Sequence, residues 1–186
     1  MVKQKAIELL VKHGFENFSV NKLAKECGIS VATLYIYYKD KDDLIIKIAI
    51  EEYNRMSAAV MNDFDPEWAF EKGLKYQWEK RSKYMMSNRL SMLFFEQLKN
   101  SSYQEKLYES SIGGFKEKMG KFARNAVSKK EINAMPLEVF WSVAFAPLYT
   151  LIRFHYDRRS IGGKAFELDN AIMQQTLALV IKALRK

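Results

Sequence analysis

Apolar residues recur three and four positions apart through nearly every long segment of this 186-residue chain, and only three prolines and eight glycines interrupt them. That period stacks side chains along one face of an α-helix, whereas a half-buried strand needs strict alternation, and no alternating run competes. The expected fold class is all-α. The length suits one or two domains with a proper core, and 48% apolar with 28% charged residues is an ordinary soluble composition.

Breaks in the pattern divide the chain. A first helix over about 2–12 stops at Gly14, a second is capped by Ser19 and runs through Cys27, and a third is capped by Ser30 and reaches about Tyr38. Asp40 opens a longer helix to about Asn62, with Asp43 in the first turn, where the helix dipole favours a carboxylate. "DPEW", residues 65–68, reads as the next start, with Pro66 in the first helical position and an end near Met86. Further helices are expected over about 87–98, 104–127 (kinked or split at Gly113 and Gly114), 136–158 and 166–184. Three short helices followed by about six longer ones imply a small module, residues 1–46, leaning on a helical body, residues 47–186, with the fourth helix bridging them.

Charge and special residues narrow the function classes. The net charge is +8, yet residues 1–50 hold eight lysines against six acids, and most of the excess falls in residues 71–130. By itself this is the pattern of solvated helix faces rather than of a polyanion footprint. The most apolar run, residues 139–152, is shorter than the roughly 20 residues of a membrane span and contains Ser142, Pro147 and Thr150. A single cysteine, Cys27, and no basic-then-apolar leader point to a cytoplasmic protein. His13 and His155 stand on distant helices with no nucleophile, phosphate or metal motif around them, and Ile45 occupies the place where a calcium loop needs glycine. No enzyme, cofactor or metal is expected.

The stretch "KLAKECGISVATLYIYYKDKDDL", residues 22–44, carries the chemistry. A helix-turn-helix needs a small residue where the helices meet, a glycine in the turn and an apolar pin in the second helix; Ala24, Gly28 and Leu34 supply them, with Leu23 and Ile29 as further plugs. Periodicity turns Leu34 and Tyr38 inward and leaves Ala32, Thr33, Ile36 and Tyr37 for a groove, with Val31 and Tyr35 on the border.

"FSVNKLAKECGISVATLYIYYKDKDDL", residues 18–44, resembles the N-terminal signature of the TetR family of transcriptional repressors, in which Leu34, Tyr35, an aromatic at Tyr38, Lys41 and Leu44 stand as they do here. The detailed resemblance covers about residues 6–50. It implies a three-helix DNA-binding module, a body of about six helices for effector binding, dimerisation through the last two helices, and ligand-controlled release of a double-stranded DNA operator. It also sends the Tyr35 hydroxyl to a phosphate and singles out Lys41.

Around that motif, Ser19 at a helix start can offer hydroxyl and amide to a phosphate, Lys22 and Lys41 supply charge that fixes register, and Asn21 can reach an adenine edge. The third helix holds no arginine, glutamine or asparagine, so bidentate readout of guanine or adenine is unavailable there; Val31, Ala32 and Thr33 offer methyl groups to thymine instead. Only Met1 and Val2 precede Lys3, so no basic arm for the minor groove is expected.

In the body, a methionine and aromatic stripe is ordinarily core, but soft and bulky side chains together can line an adaptable cavity for an apolar or aromatic effector. Trp78, Met92, Phe95, Phe115 and Trp141 are the candidate lining residues, and the resemblance places the cavity among these helices. Phe140, Trp141, Ala144, Phe145, Leu148, Leu151 and Ile152 form one wide apolar face, and Ile172, Leu177, Leu179, Val180 and Leu184 another. Pairing both with their copies would cover them as a four-helix bundle in a homodimer. The rival reading is a helical protein-interaction module with no specific DNA binding.

Overall fold

The computed structural model describes residues 1–186 except Ile112, with the side chains of 108–113 outside the description. Among the described residues there are eleven helical segments and no named strand: α1 Val2–His13, α2 Val20–Cys27, α3 Val31–Tyr37, α4 Lys41–Met61, α5 Phe70–Ser87, α6 Arg89–Lys99, α7 Tyr103–Ser111, α8 Gly113–Ser128, α9 Leu137–Ala144, α10 Ala146–Asp157 and α11 Asn170–Leu184. The all-α expectation holds. The break expected at Gly113 and Gly114 falls beside Ile112, outside the described residues.

Three boundaries differ from expectation, each for a local reason. Residues 65–68 form a turn rather than a helix start: the Asp65 carboxylate accepts from the Glu67 amide at 2.9 Å, and α5 begins only at Phe70, whose amide donates to the Glu131 carboxylate at 2.9 Å. A side chain from elsewhere in the chain thus satisfies the first turn. The helix expected over 136–158 is broken at Phe145, because Pro147 has no amide to give and its ring crowds the carbonyl one turn back. The last helix starts at Asn170, not near Phe166, since Asp169 caps it by accepting from the Ile172 amide at 2.8 Å.

The chain forms two compact units, each discontinuous in sequence: Met1–Ser57 with Asn88–Ile112, and Ala58–Ser87 with Gly113–Lys186. In the first, the inner faces of α1 to α4 (Leu10, Leu23, Leu34, Leu44 and Ile48) pack in one cluster with Phe94, Leu98, Tyr103 and Leu107 of α6 and α7. Phe15 lies 5.7 Å from the Phe94 ring and 5.6 Å from Tyr103, and the Gln97 amide donates to the Val11 carbonyl at 2.8 Å. The Tyr103 hydroxyl donates to Asp42 at 2.6 Å and Lys106 pairs with the same carboxylate at 2.8 Å. Burial and that carboxylate push the Tyr103 phenol far above its ordinary range, while Lys106 and Tyr103 hold Asp42 low.

Glu52, buried in the same unit, receives hydrogen bonds from the Arg55 guanidinium and the Ser91 hydroxyl, with the Lys3 ammonium 3.7 Å away. Burial pushes its carboxyl up, but those donors and charges outweigh it and hold the group below the ordinary glutamate value. A depressed folded pKa gives stability that is complete above the ordinary carboxylate range and lost as pH falls through it. Glu52→Gln is therefore expected to flatten the fall in melting temperature between roughly pH 5 and pH 3, measured by circular dichroism. An acid limb unchanged by the substitution would refute this.

In the second unit, Trp78 is fully buried and its indole donates to the Ala144 carbonyl at 2.7 Å, while buried Phe122 meets Phe64 edge-on at 5.3 Å and stacks on Phe70 at 6.0 Å. The stretch Leu137–Asp157 is long and apolar enough to pass for a membrane span by composition, yet Phe140, Ala144, Phe145, Leu148 and Ile152 are all buried within the unit, where α9 and α10 pack on α11 and α5. This corrects a premise of the sequence reading. The faces assigned to a partner chain are mostly covered by the chain's own helices, as are Leu177, Val180 and Leu184 of α11; Val139 and Leu179 stay exposed.

Candidate nucleic-acid interface

The helix-turn-helix is built by its caps. Ser19 Oγ accepts from the Lys22 amide at 3.3 Å, and Ser30 Oγ accepts from the Thr33 amide at 3.0 Å while sharing a 2.8 Å hydrogen bond with the Thr33 hydroxyl. Between them, Gly28 takes φ +67°, ψ 29°, and the Ile29 amide returns to the Ala24 carbonyl at 3.0 Å, closing α2 in a left-handed cap. An added Cβ at Gly28 would meet nothing within 4 Å, so the demand there is conformational alone. Gly28→Ala should cost about 1 kcal/mol in thermal unfolding, and a neutral result would refute the strain argument.

In α3 Leu34 alone is fully buried, at 2% exposure, and half-buried Val31 packs against the same core beside it. Tyr35, Ile36 and Tyr37 are exposed at 48%, 75% and 71%. Three consecutive large apolar or aromatic side chains open to water are unusual on a helix otherwise held so lightly, and such a patch marks a surface that meets something. Ala32 is also exposed, and Val31 and Thr33 are half-buried. The turn after α3 is closed by side-chain hydrogen bonds: Asp40 accepts from the Asp43 amide at 2.8 Å, and Asp43 accepts from the Lys39 amide at 2.8 Å and pairs with Lys47 at 2.9 Å. The Lys39 amide, then Lys47, holds the Asp43 carboxyl below its ordinary value. Lys47 also donates to the Tyr37 carbonyl at 3.2 Å, so α4 buttresses the end of α3.

The remaining site residues lie around this helix. Ser19, Asn21 and Lys22 are exposed at the start of α2, with Lys22 Nζ 2.8 Å from His13 Nε2. Lys41 is half-buried and its ammonium donates to the Glu16 carbonyl at 3.3 Å. Lys25 and Lys39 are exposed as well, and sequence reasoning passed over both. Lys39 sits two residues after Tyr37, but in "KDKDD" its charge is masked by neighbouring acids. The five residues chosen for a cavity divide between the units: Met92 and Phe95 belong to the first, and Trp78, Phe115 and Trp141 to the second, where the Phe115 and Trp141 rings meet edge-on at 6.2 Å.

Residues 4–48 match the profile of a family described as bacterial regulatory proteins, tetR family. The tetR likeness at this level is one of the module, residues 4–48, about a quarter of the chain. An uncharacterized HTH-type transcriptional regulator of Haemophilus influenzae is 31% identical over 71 residues, 38% of this chain and 38% of that protein's length. A fatty acid metabolism regulator protein of Bacillus subtilis is 29% identical over 58 residues, 31% of this chain and 30% of its own. The chain thus spans well under half the length of these curated relatives. Solved tetR-family folds match end to end. A TetR family transcription regulator from Marinobacter aquaeolei has a TM-score of 0.78 at 20% identity, covering 100% of this chain and 94% of that one. The transcriptional regulator FadR from Bacillus subtilis, solved with stearoyl-CoA, has a TM-score of 0.76 at 16% identity, covering 99% and 98%. These likenesses establish the fold of an N-terminal helix-turn-helix followed by a helical body.

Proposed function

We propose that this chain is a tetR-family, ligand-responsive transcriptional regulator that binds operator DNA. The observation that carries the reading is α3 itself, anchored by Leu34 with Val31 beside it and presenting Tyr35, Ile36 and Tyr37 to solvent. A short helix offered at its N-terminal end fits a major groove about 12 Å wide. Ala32, Thr33, Ile36 and Tyr37 meet base edges with Val31, the Tyr35 hydroxyl reaches a phosphate, Asn21 reaches an adenine edge, and Ser19, Lys22 and Lys41 hold register from the starts of α2 and α4. Lys39 joins them as a further cation.

The finer reading is a repressor. Residues 1–46 bind DNA and residues 47–186 hold the effector and the dimer contact, which α10 and α11 supply through their remaining open side chains, Leu179 among them. Two-fold pairing sets the recognition helices about 34–36 Å apart, matching a palindromic site. A small, mainly apolar or aromatic effector that prefers a second arrangement of the body releases the DNA, and α4, whose residues belong to both units, links the two events. A relative of this fold that holds stearoyl-CoA supports an apolar effector.

Selection of bound duplexes from a random pool tests the reading. We expect a palindrome with A·T-rich half-sites, read through thymine methyls and shape, and retention that weakens steeply with salt. A site dominated by invariant guanines opposite α3 would overturn the readout. No retention of any selected duplex at low salt would favour the protein-interaction module.

A further inference from the structure

One buried cation in the second unit has no counter-charge. Arg81, in the middle of α5, is 4% exposed. Its Nε donates to the Gln77 side-chain oxygen at 3.2 Å and its Nη1 to the Tyr149 hydroxyl at 2.7 Å, both neutral acceptors. Nη2 is shielded from solvent and meets no acceptor, and no carboxylate pairs with the guanidinium among the described residues. The Gln77 amide is held the right way round for this, because its nitrogen donates to the Val60 carbonyl at 3.0 Å.

Aromatic rings enclose the group. The guanidinium carbon lies 4.4 Å from the Phe145 ring centroid, 5.1 Å from Trp141 and 5.2 Å from Phe115. Ring faces attract a cation, but they leave its N–H donors unused, and a buried arginine is ordinarily matched by an acid. The Phe145 ring is fully buried, whereas Phe115 and Trp141 are only partly so.

We propose that Arg81 anchors the anionic head of the effector: a carboxylate or phosphate on an aromatic or apolar body that seats against Phe115 and Trp141. The planar guanidinium fork suits either head, and a dry, pre-oriented donor strengthens the bond. This rests on the reading of the second unit as effector-binding and adds a charge requirement to it.

The test uses the full chain and three probes sharing one ring system: 2-naphthoate, 2-naphthyl phosphate and uncharged 2-naphthamide. Tryptophan fluorescence titration and thermal unfolding report binding. At least one anion should bind about tenfold or more tighter than the amide, and the tighter of the two names the head group. Arg81→Met should remove that preference and, having no unpaired charge to bury, melt no lower than the wild type without ligand. Arg81→Lys, which keeps charge but loses the fork, should weaken the anion and leave the amide unchanged; should Arg81→Met fail to fold, this variant decides. Equal binding of anions and amide by the wild type, or a preference that survives either substitution undiminished, overturns the proposal. Retention of DNA by the unliganded chain, measured alongside, separates the two readings: DNA binding without anion preference sinks only the Arg81 site, and anion preference without DNA binding sinks only the regulator.

Discussion

Ala32→Glu is expected to abolish retention of duplex DNA while leaving the melting temperature unchanged. Ala32 is exposed in the first turn of α3, beyond the Ser30 cap, and touches no part of the core. For the fold, a carboxylate there is harmless or mildly favourable, since the start of a helix attracts negative charge. On the proposed docking of α3 in a groove it is the reverse: the new charge would face base edges and two phosphate strands in a place water could no longer screen. A juxtaposed like charge costs several kcal/mol, so a loss of about 100-fold or more in a gel retardation titration is expected. Ala32→Gln, of similar size and no charge, should retain most of the binding. Retention by Ala32→Glu equal to the wild type would show that α3 does not enter the groove.

The second large effect is expected from Gly73→Val, which should cost about 3 kcal/mol, or a fall of roughly 6–12 °C in melting temperature. Glycine inside a helix is ordinarily a weakness of about 1 kcal/mol relative to alanine, so an open site would gain from substitution. Gly73 is not open. A Cβ built there would stand 2.3 Å from Phe122 Cε2 and 2.6 Å from Cζ, closer than carbon atoms approach. Phe122 cannot yield, being fully buried with Phe64 at 5.3 Å and Phe70 at 6.0 Å. Gly73→Ala should therefore also destabilise, by about 1–2 kcal/mol, and Phe122→Leu in the same chain should relieve part of it. A Gly73→Ala variant that melts higher than the wild type would refute the close packing of α5 on α8.

The helix-turn-helix was readable in the sequence because its rules are local. A cap bonds three residues on, a left-handed glycine needs no partner, and a face is set by spacing of three and four; so Ser19, Gly28, Ser30 and Leu34 all stand where the pattern puts them. The misplaced boundaries have non-local causes. Phe70 starts α5 because Glu131, sixty-one residues away, takes its amide, and no window of sequence contains that pair. Nothing in the sequence around Gly73 announces that Phe122, on another helix, lies against it. Arg81 read as one of many surface cations in a basic stretch; its burial follows from Tyr149 and Phe145, which sequence places in a different helix. Leu148 and Ile152 were assigned to a partner because apolar stripes show that a face is covered, not by what.

The discontinuity of the first unit sets an order of events during synthesis. Phe15 finds Phe94 and Tyr103, and Val11 finds Gln97, only after nearly ninety further residues have left the ribosome. Until then the nascent helix-turn-helix has an unfinished floor, with apolar side chains of α1 bare to water and open to chaperones or to misassembly. A fragment cut after Ser57 would inherit that defect permanently, so the smallest piece of this protein able to fold around α3 must carry residues 88–107 with it.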